Sequence, residues 1–280
     1  MIRFTGSAGN AIAADIAGNM DGKIVLFLHG GGQTRQSWHG AQKALANRGY
    51  LAITLDARGH GESDWTTTEG YTIDNMAEDL RCIIARLSRP LALVGASMGG
   101  LAAMTAFLQD PSLPCYALAL VDVVPRPNGE GIDHIKNFMA ASPDGFASLE
   151  EAADAVAAYI PNRKRPASPE GLRKNLRLSD NGRYYWHWDP AFLNFRDGDF
   201  TSAPRLEEML RTSHVPTLLV RGRESDVVTD VEVEHFARLM PNARVVDIRG
   251  ATHMVAGDQN DVFLTAVDNF LKDTDGQNAR

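Results

Sequence analysis

The strongest pattern along the chain is a series of short, nearly unbroken apolar runs separated by stretches with apolar residues three and four apart. Residues 24–28, Ile-Val-Leu-Phe-Leu, present no polar face, as expected of a strand covered on both sides. Similar runs at 51–55, 91–94, 117–121, 215–220 and 244–248 predict further buried strands. Helical periodicity fills the gaps, over 38–48, 75–87, 98–108, 231–239 and 262–272. Residues up to 17 read as two weaker strands, paired as an antiparallel hairpin at the sheet edge. Strands alternating with helices predict an α/β fold, a mostly parallel twisted sheet of about eight strands with helices on both faces.

One segment breaks the alternation. From 125 to 204 no buried-strand pattern occurs, only helical patches at 132–140, 149–159 and 169–178, Pro/Gly punctuation and the aromatic cluster Tyr184-Tyr185-Trp186-His187-Trp188. About 80 residues is too long for a plain loop in a compact domain. The division expected is therefore a core of 1–124 and 205–280 with a helical lid inserted at 125–204.

Composition narrows the class of partner. An excess of 35 Asp+Glu over 28 Lys+Arg gives a net charge of -7, which argues against a protein built to bind nucleic acid. Cys82 and Cys115 are too few for a secreted disulfide framework and read as reduced, buried thiols. No basic-then-apolar leader opens the sequence, and no stretch approaches the roughly 18 apolar residues of a membrane span. A cytoplasmic protein is expected.

The chemistry begins at Gly95-Ala96-Ser97-Met98-Gly99-Gly100, where a buried strand runs into a helix. Small residues around a serine at such a junction permit a tight turn that lifts the hydroxyl above the sheet, at a helix N-terminus that favours negative charge. His29-Gly30-Gly31-Gly32 also follows a buried strand, and side-chain-free backbone N–H groups there suit an oxyanion. Gly31 and Met98 are the expected pair of donors, with His29 buttressing the loop. Of eight histidines, His253 lies just past the last strand, where it can overhang Ser97 as general base. Asp226, past the preceding strand, gives the order Ser, Asp, His and is favoured as the acid that orients the imidazole; Asp122 and Glu224 compete for that role.

Together with Asp56-Ala57-Arg58-Gly59-His60-Gly61-Glu62-Ser63 and Gly250-Ala251-Thr252-His253, these motifs resemble the α/β-hydrolase superfamily. The similarity spans about residues 20–125 and 205–272, nearest to its soluble, cap-bearing esterases, cofactor-free perhydrolases and carbon–carbon bond hydrolases. It implies that Asp56, Arg58 and His60 shape a turn near the site. Epoxide and halide hydrolases of this fold place Asp where this chain has Ser97, so the serine argues against both activities. The expectation is cleavage of small to medium, largely apolar esters through an acyl-enzyme on Ser97. Perhydrolysis or carbon–carbon cleavage by the same triad is the alternative, ahead of an epoxide or halide hydrolase or a non-catalytic ligand receptor. Trp186 and Trp188 are candidate substrate contacts from above. No metal or organic cofactor is implied, and the expected partner is a small apolar molecule.

Overall fold

In β3 (Ile24–Leu28), Ile24, Leu26 and Leu28 enter one hydrophobic core while Val25 and Phe27 enter another. The same alternation divides β5 (Leu91–Ala96), which explains why neither strand shows a polar face. The computed structural model describes residues 1–66, 70–160, 168–194, 202–255 and 260–278. Its main sheet also contains β1 (Ile2–Thr5), β2 (Ala11–Gly18), β4 (Leu51–Leu55), β6 (Cys115–Val121), β9 (Thr217–Gly222) and β10 (Arg244–Ile248). The spatial order is β1-β2-β4-β3-β5-β6-β9-β10. β1 and β2 form the expected antiparallel edge, and every pairing from β4 to β10 is parallel.

Helices α2 (Ile73–Leu87), α3 (Met98–Gln109), α6 (Ala203–Thr212) and α7 (Asp230–Leu239) pack on one face. Helices α1 (His39–Ala46) and α8 (Asn260–Asn278) cover the other. The chain steps from β3 to β4 on one side, then crosses back to β5 on the other. With right-handed crossovers, α1 and α2 must then fall on opposite faces, which opens a crevice at the C-terminal ends of β3 and β5.

Over that crevice lies the segment between β6 and α6. It contains α4 (Gly129–Ala140), α5 (Leu149–Tyr159), a 3₁₀ turn (Pro169–Asn175), the antiparallel pair β7 (Leu176–Leu178) and β8 (Tyr184–Trp186), and a second 3₁₀ turn (Pro190–Leu193). The helix expected at 169–178 is instead a 3₁₀ turn running into a strand. Ser168 caps the turn and Pro169 starts it, but Leu176 then pairs with Trp186. Aromatic residues favour such pairing, so the cluster at 184–186 takes the chain into β structure that helical periodicity did not suggest.

The segment is docked at both ends. Asn128 N–H donates to Val227 O at 2.9 Å, Gly61 N–H to His187 O at 2.7 Å and Asp189 N–H to Gly59 O at 2.8 Å. At Gly131 a Cβ would lie 2.4 Å from Asp226 O, so α4 reaches that loop only because the residue has no side chain. The receiving loop, 56–63, is held from below. Arg58 is fully buried and makes two 2.7 Å hydrogen bonds to Asp79, while Asp56 pairs with Arg35. Among the described residues no helix is long and apolar enough to cross a membrane.

Removing one partner of a buried ion pair strands the other. Asp79→Ala is therefore expected to lower the unfolding free energy by about 3–5 kcal/mol, read from urea denaturation.

Candidate active site

Ser97 sits between β5 and α3 with φ 45° and ψ -116°, a conformation non-glycine residues rarely adopt. Its N–H donates to Val121 O at 3.1 Å, which ties the turn to β6. Two residues on, a Cβ at Gly99 would come within 2.5 Å of Leu28 O. The start of α3 thus lies directly against the end of β3, where His29-Gly30-Gly31 begins, and the serine and the glycine loop are brought together by backbone contact.

That loop is tightly bonded. Gly30 N–H donates to Gln33 Oε1 at 3.3 Å and Gly32 N–H to His60 Nε2 at 3.2 Å. Among the described residues no hydrogen bond takes up the Gly31 N–H. His29 and His60 are props. His29 Nδ1 lies 2.8 Å from Gly30 O and its Nε2 accepts the Ala57 N–H at 3.0 Å, while His60 Nδ1 lies 3.1 Å from Arg58 O. In both rings Nε2 accepts, so Nδ1 carries the proton and the ring is neutral. Burial keeps them so, lowering the pKa of His29 and pushing that of His60 down to about 3.

His253 follows β10 and is nearly buried, and its Nδ1 lies 2.7 Å from Asp122 Oδ2. The sequence favours Asp226 for this contact; the structure gives it to Asp122. At the end of β6, Asp122 turns into the left-handed region (φ 50°), which aims its buried carboxylate at the imidazole. Gly222 N–H donates to Oδ1 at 2.9 Å and Ser225 Oγ–H to Oδ2 at 2.5 Å. Ser225 is oriented in turn by accepting the N–H groups of Val227 and Val228. The turn that points Ser225 inward leaves Asp226 facing α4, where its Oδ2 lies 3.0 Å from His134 Nδ1 and both side chains are half exposed. Glu224 is exposed, and among the described residues its carboxylate makes no hydrogen bond to His253. No periodicity marks Ser225, and nothing in the residue pattern distinguishes its bond to Asp122 from an ordinary loop serine.

Ser97, Met98, Gly31 and His253 all line one cavity of about 460 Å³. Trp186 and Trp188 line it too, together with Met139 and Phe192, which the sequence did not single out. Trp188 is buried 6.2 Å from the Phe192 ring, and Phe192 packs edge-on to His60 at 4.6 Å. Trp186 stands edge-on to Phe138 and Phe146, so it links the cavity wall to the small hairpin. Cys82 and Cys115 are free thiols outside the cavity lining. Among the described residues no group of three His, Cys, Asp or Glu side chains is arranged to hold a metal ion.

A family model described as the alpha/beta hydrolase fold matches residues 23–258. The chain belongs to the α/β-hydrolase family. Relatives include an esterase of Mycobacterium tuberculosis, 30% identical over 254 residues, covering 88% of this chain and 82% of that protein. The sn-1-specific diacylglycerol lipase of Mus musculus is 29% identical over 254 residues, covering 88% and 80%. Among solved structures, an E-2-(acetamidomethylene)succinate hydrolase shares the fold with a TM-score of 0.83 at 24% identity, covering 97% of this chain and 98% of that one.

The buried histidines make stability depend on pH. His60 stays neutral in the fold down to about pH 3, whereas its unfolded counterpart takes up a proton below about 6.5. Its contribution is thus complete above pH 6.5 and lost as pH falls toward 3. Urea unfolding at pH steps from 7 to 4 should show His60→Gln with a shallower loss than the parent, by up to about 1.4 kcal/mol per pH unit.

Proposed function

We propose that this protein is a serine hydrolase that cleaves small to medium, largely apolar carboxylic esters, with Ser97 as nucleophile, His253 as general base and Asp122 as the orienting acid. The observation that carries this reading is the strained Ser97 turn opening onto the same apolar cavity as a histidine whose Nδ1 is held by a buried carboxylate. With Nδ1 bonded to Asp122, His253 keeps Nε2 for the reacting serine. The two relatives named for ester cleavage support the same bond type.

In the proposed reaction Ser97 Oγ attacks the ester carbonyl carbon while its proton passes to His253 Nε2. The oxyanion is received by the N–H groups of Gly31 and Met98, the latter at the N-terminus of α3. Asp122 keeps the imidazole in the tautomer that accepts at Nε2 and stabilises the imidazolium. The intermediate collapses, the leaving alkoxide takes the proton from His253, and the acyl group remains on Ser97. Water then repeats the sequence with His253 as base and releases the carboxylic acid. The segment at 125–204 acts as a lid in this scheme, with Trp186, Trp188 and Met139 enclosing the acyl group.

A fluorophosphonate probe should label Ser97, as mapped by mass spectrometry, and labelling of another residue overturns the assignment. Ser97→Ala should abolish p-nitrophenyl ester hydrolysis. The two acidic positions separate cleanly in kcat. Asp122→Asn is expected to lower it by about 10⁴-fold, since the wrong tautomer is then favoured. Asp226→Asn should stay within about fivefold of the parent, because an exposed ion pair is worth at most about 1 kcal/mol. The opposite ranking would return the acid role to Asp226.

A further inference from the structure

The cavity has an uneven charge. The chain as a whole carries seven more acidic than basic side chains, yet no Asp or Glu is found among the described residues lining the cavity. Apart from His253, its charged side chains are Lys136 and Lys174. They come from separate elements, α4 and the 3₁₀ turn at Pro169–Asn175, and both are exposed, so they sit where the cavity meets solvent.

Their placement follows from local structure. On α4 the residues lining the cavity are Ile132, Ile135, Lys136, Phe138 and Met139, gathered on one side of the helix by three- and four-residue spacings. Glu130 and Asp133 on the same helix do not line it. Beside Lys174, Glu170 is also outside the lining, and it pairs with Arg173 at 2.9 Å. The acidic residues of both elements therefore lie elsewhere, while the two lysines have no ion pair or hydrogen bond among the described residues. Lysine stems commonly lie along apolar walls with the ammonium in water. That habit accounts for one lysine at a rim, but not for two cations with no ion pair and no acid beside them among the described residues of an otherwise apolar cavity.

We propose that the substrate carries an anionic group remote from the bond that Ser97 attacks, held at the cavity mouth by Lys136 and Lys174. The ligand class is an amphipathic ester, apolar where it crosses the cavity and bearing a carboxylate or phosphate at its far end. Low-dielectric walls strengthen such an attraction and concentrate anions at the entrance. The inference rests on the serine hydrolase reading for the reacting bond, but not for the binding preference.

The test is therefore a binding measurement on Ser97→Ala protein, which needs no turnover. Octanoate, octyl phosphate and octanol are titrated calorimetrically at low salt. One or both anions should bind about tenfold more tightly than octanol, and the advantage should shrink as salt is raised to 0.5 M. In the Lys136→Gln, Lys174→Gln double variant the ratio should collapse toward one, and in the corresponding Glu variants it should invert. Whichever anion gains more identifies carboxylate or phosphate as the group recognised. Octanol binding as tightly as both anions, or an advantage retained in the Gln double variant, overturns the proposal. Probe labelling of Ser97 involves no anionic tail, so failure of the nucleophile and failure of the anion site are read separately.

Discussion

Between β5 and α3 the chain reverses direction around a single residue, and the space available is set by backbone rather than side chains. Ser97 takes the left-handed turn, and Gly99 lets α3 press against the last carbonyl of β3. This contact fixes the distance between the serine and the glycine loop, because both are attached to neighbouring strands of one rigid sheet. A backbone held this way stores strain that only the surrounding packing can sustain. The buried alternation of β3 and β5 supplies that packing, so the hydrophobic pattern of the chain and the geometry of its site are one problem.

The glycine loop is stiffened by a different device. Two neutral imidazoles, each bonded at both nitrogens, connect 29–32 to the 56–63 turn, and that turn is fastened by Arg58–Asp79 and Arg35–Asp56. Charges are buried in pairs below, and neutral polar rings are used next to the cavity. A protonated ring at His60 would lose its ability to accept the Gly32 N–H and would place a positive charge beside the loop.

The sheet and its order of elements were legible because a strand covered on both faces leaves an unmistakable run, and because strand–helix alternation restricts topology. Ser97, His253, Gly31 and Met98 were legible as places on that topology, and all four line one cavity. The acid was not. Asp122 and Asp226 both follow strands, β6 and β9, that are neighbours in the sheet, so their distance along the chain hides their closeness in space. What separates them is a backbone turn at Asp122 and the inward aim of Ser225, and neither conformation has a residue signature. The hairpin at 176–186 was missed for a related reason. Its strands are three residues each, too short for a two-residue period to stand out against helical spacing.

Ser225 and Asp226 are consecutive, yet one side chain grips the carboxylate beneath His253 and the other grips His134 on α4. The loop thus has one arm at the His253–Asp122 pair and the other against the inserted segment. Gly131 packing onto Asp226 and Asn128 bonding to Val227 add backbone contact between the outer arm and α4. The setting of the His253 imidazole and the seating of α4 thus meet in two adjacent residues, one turned inward and one turned outward.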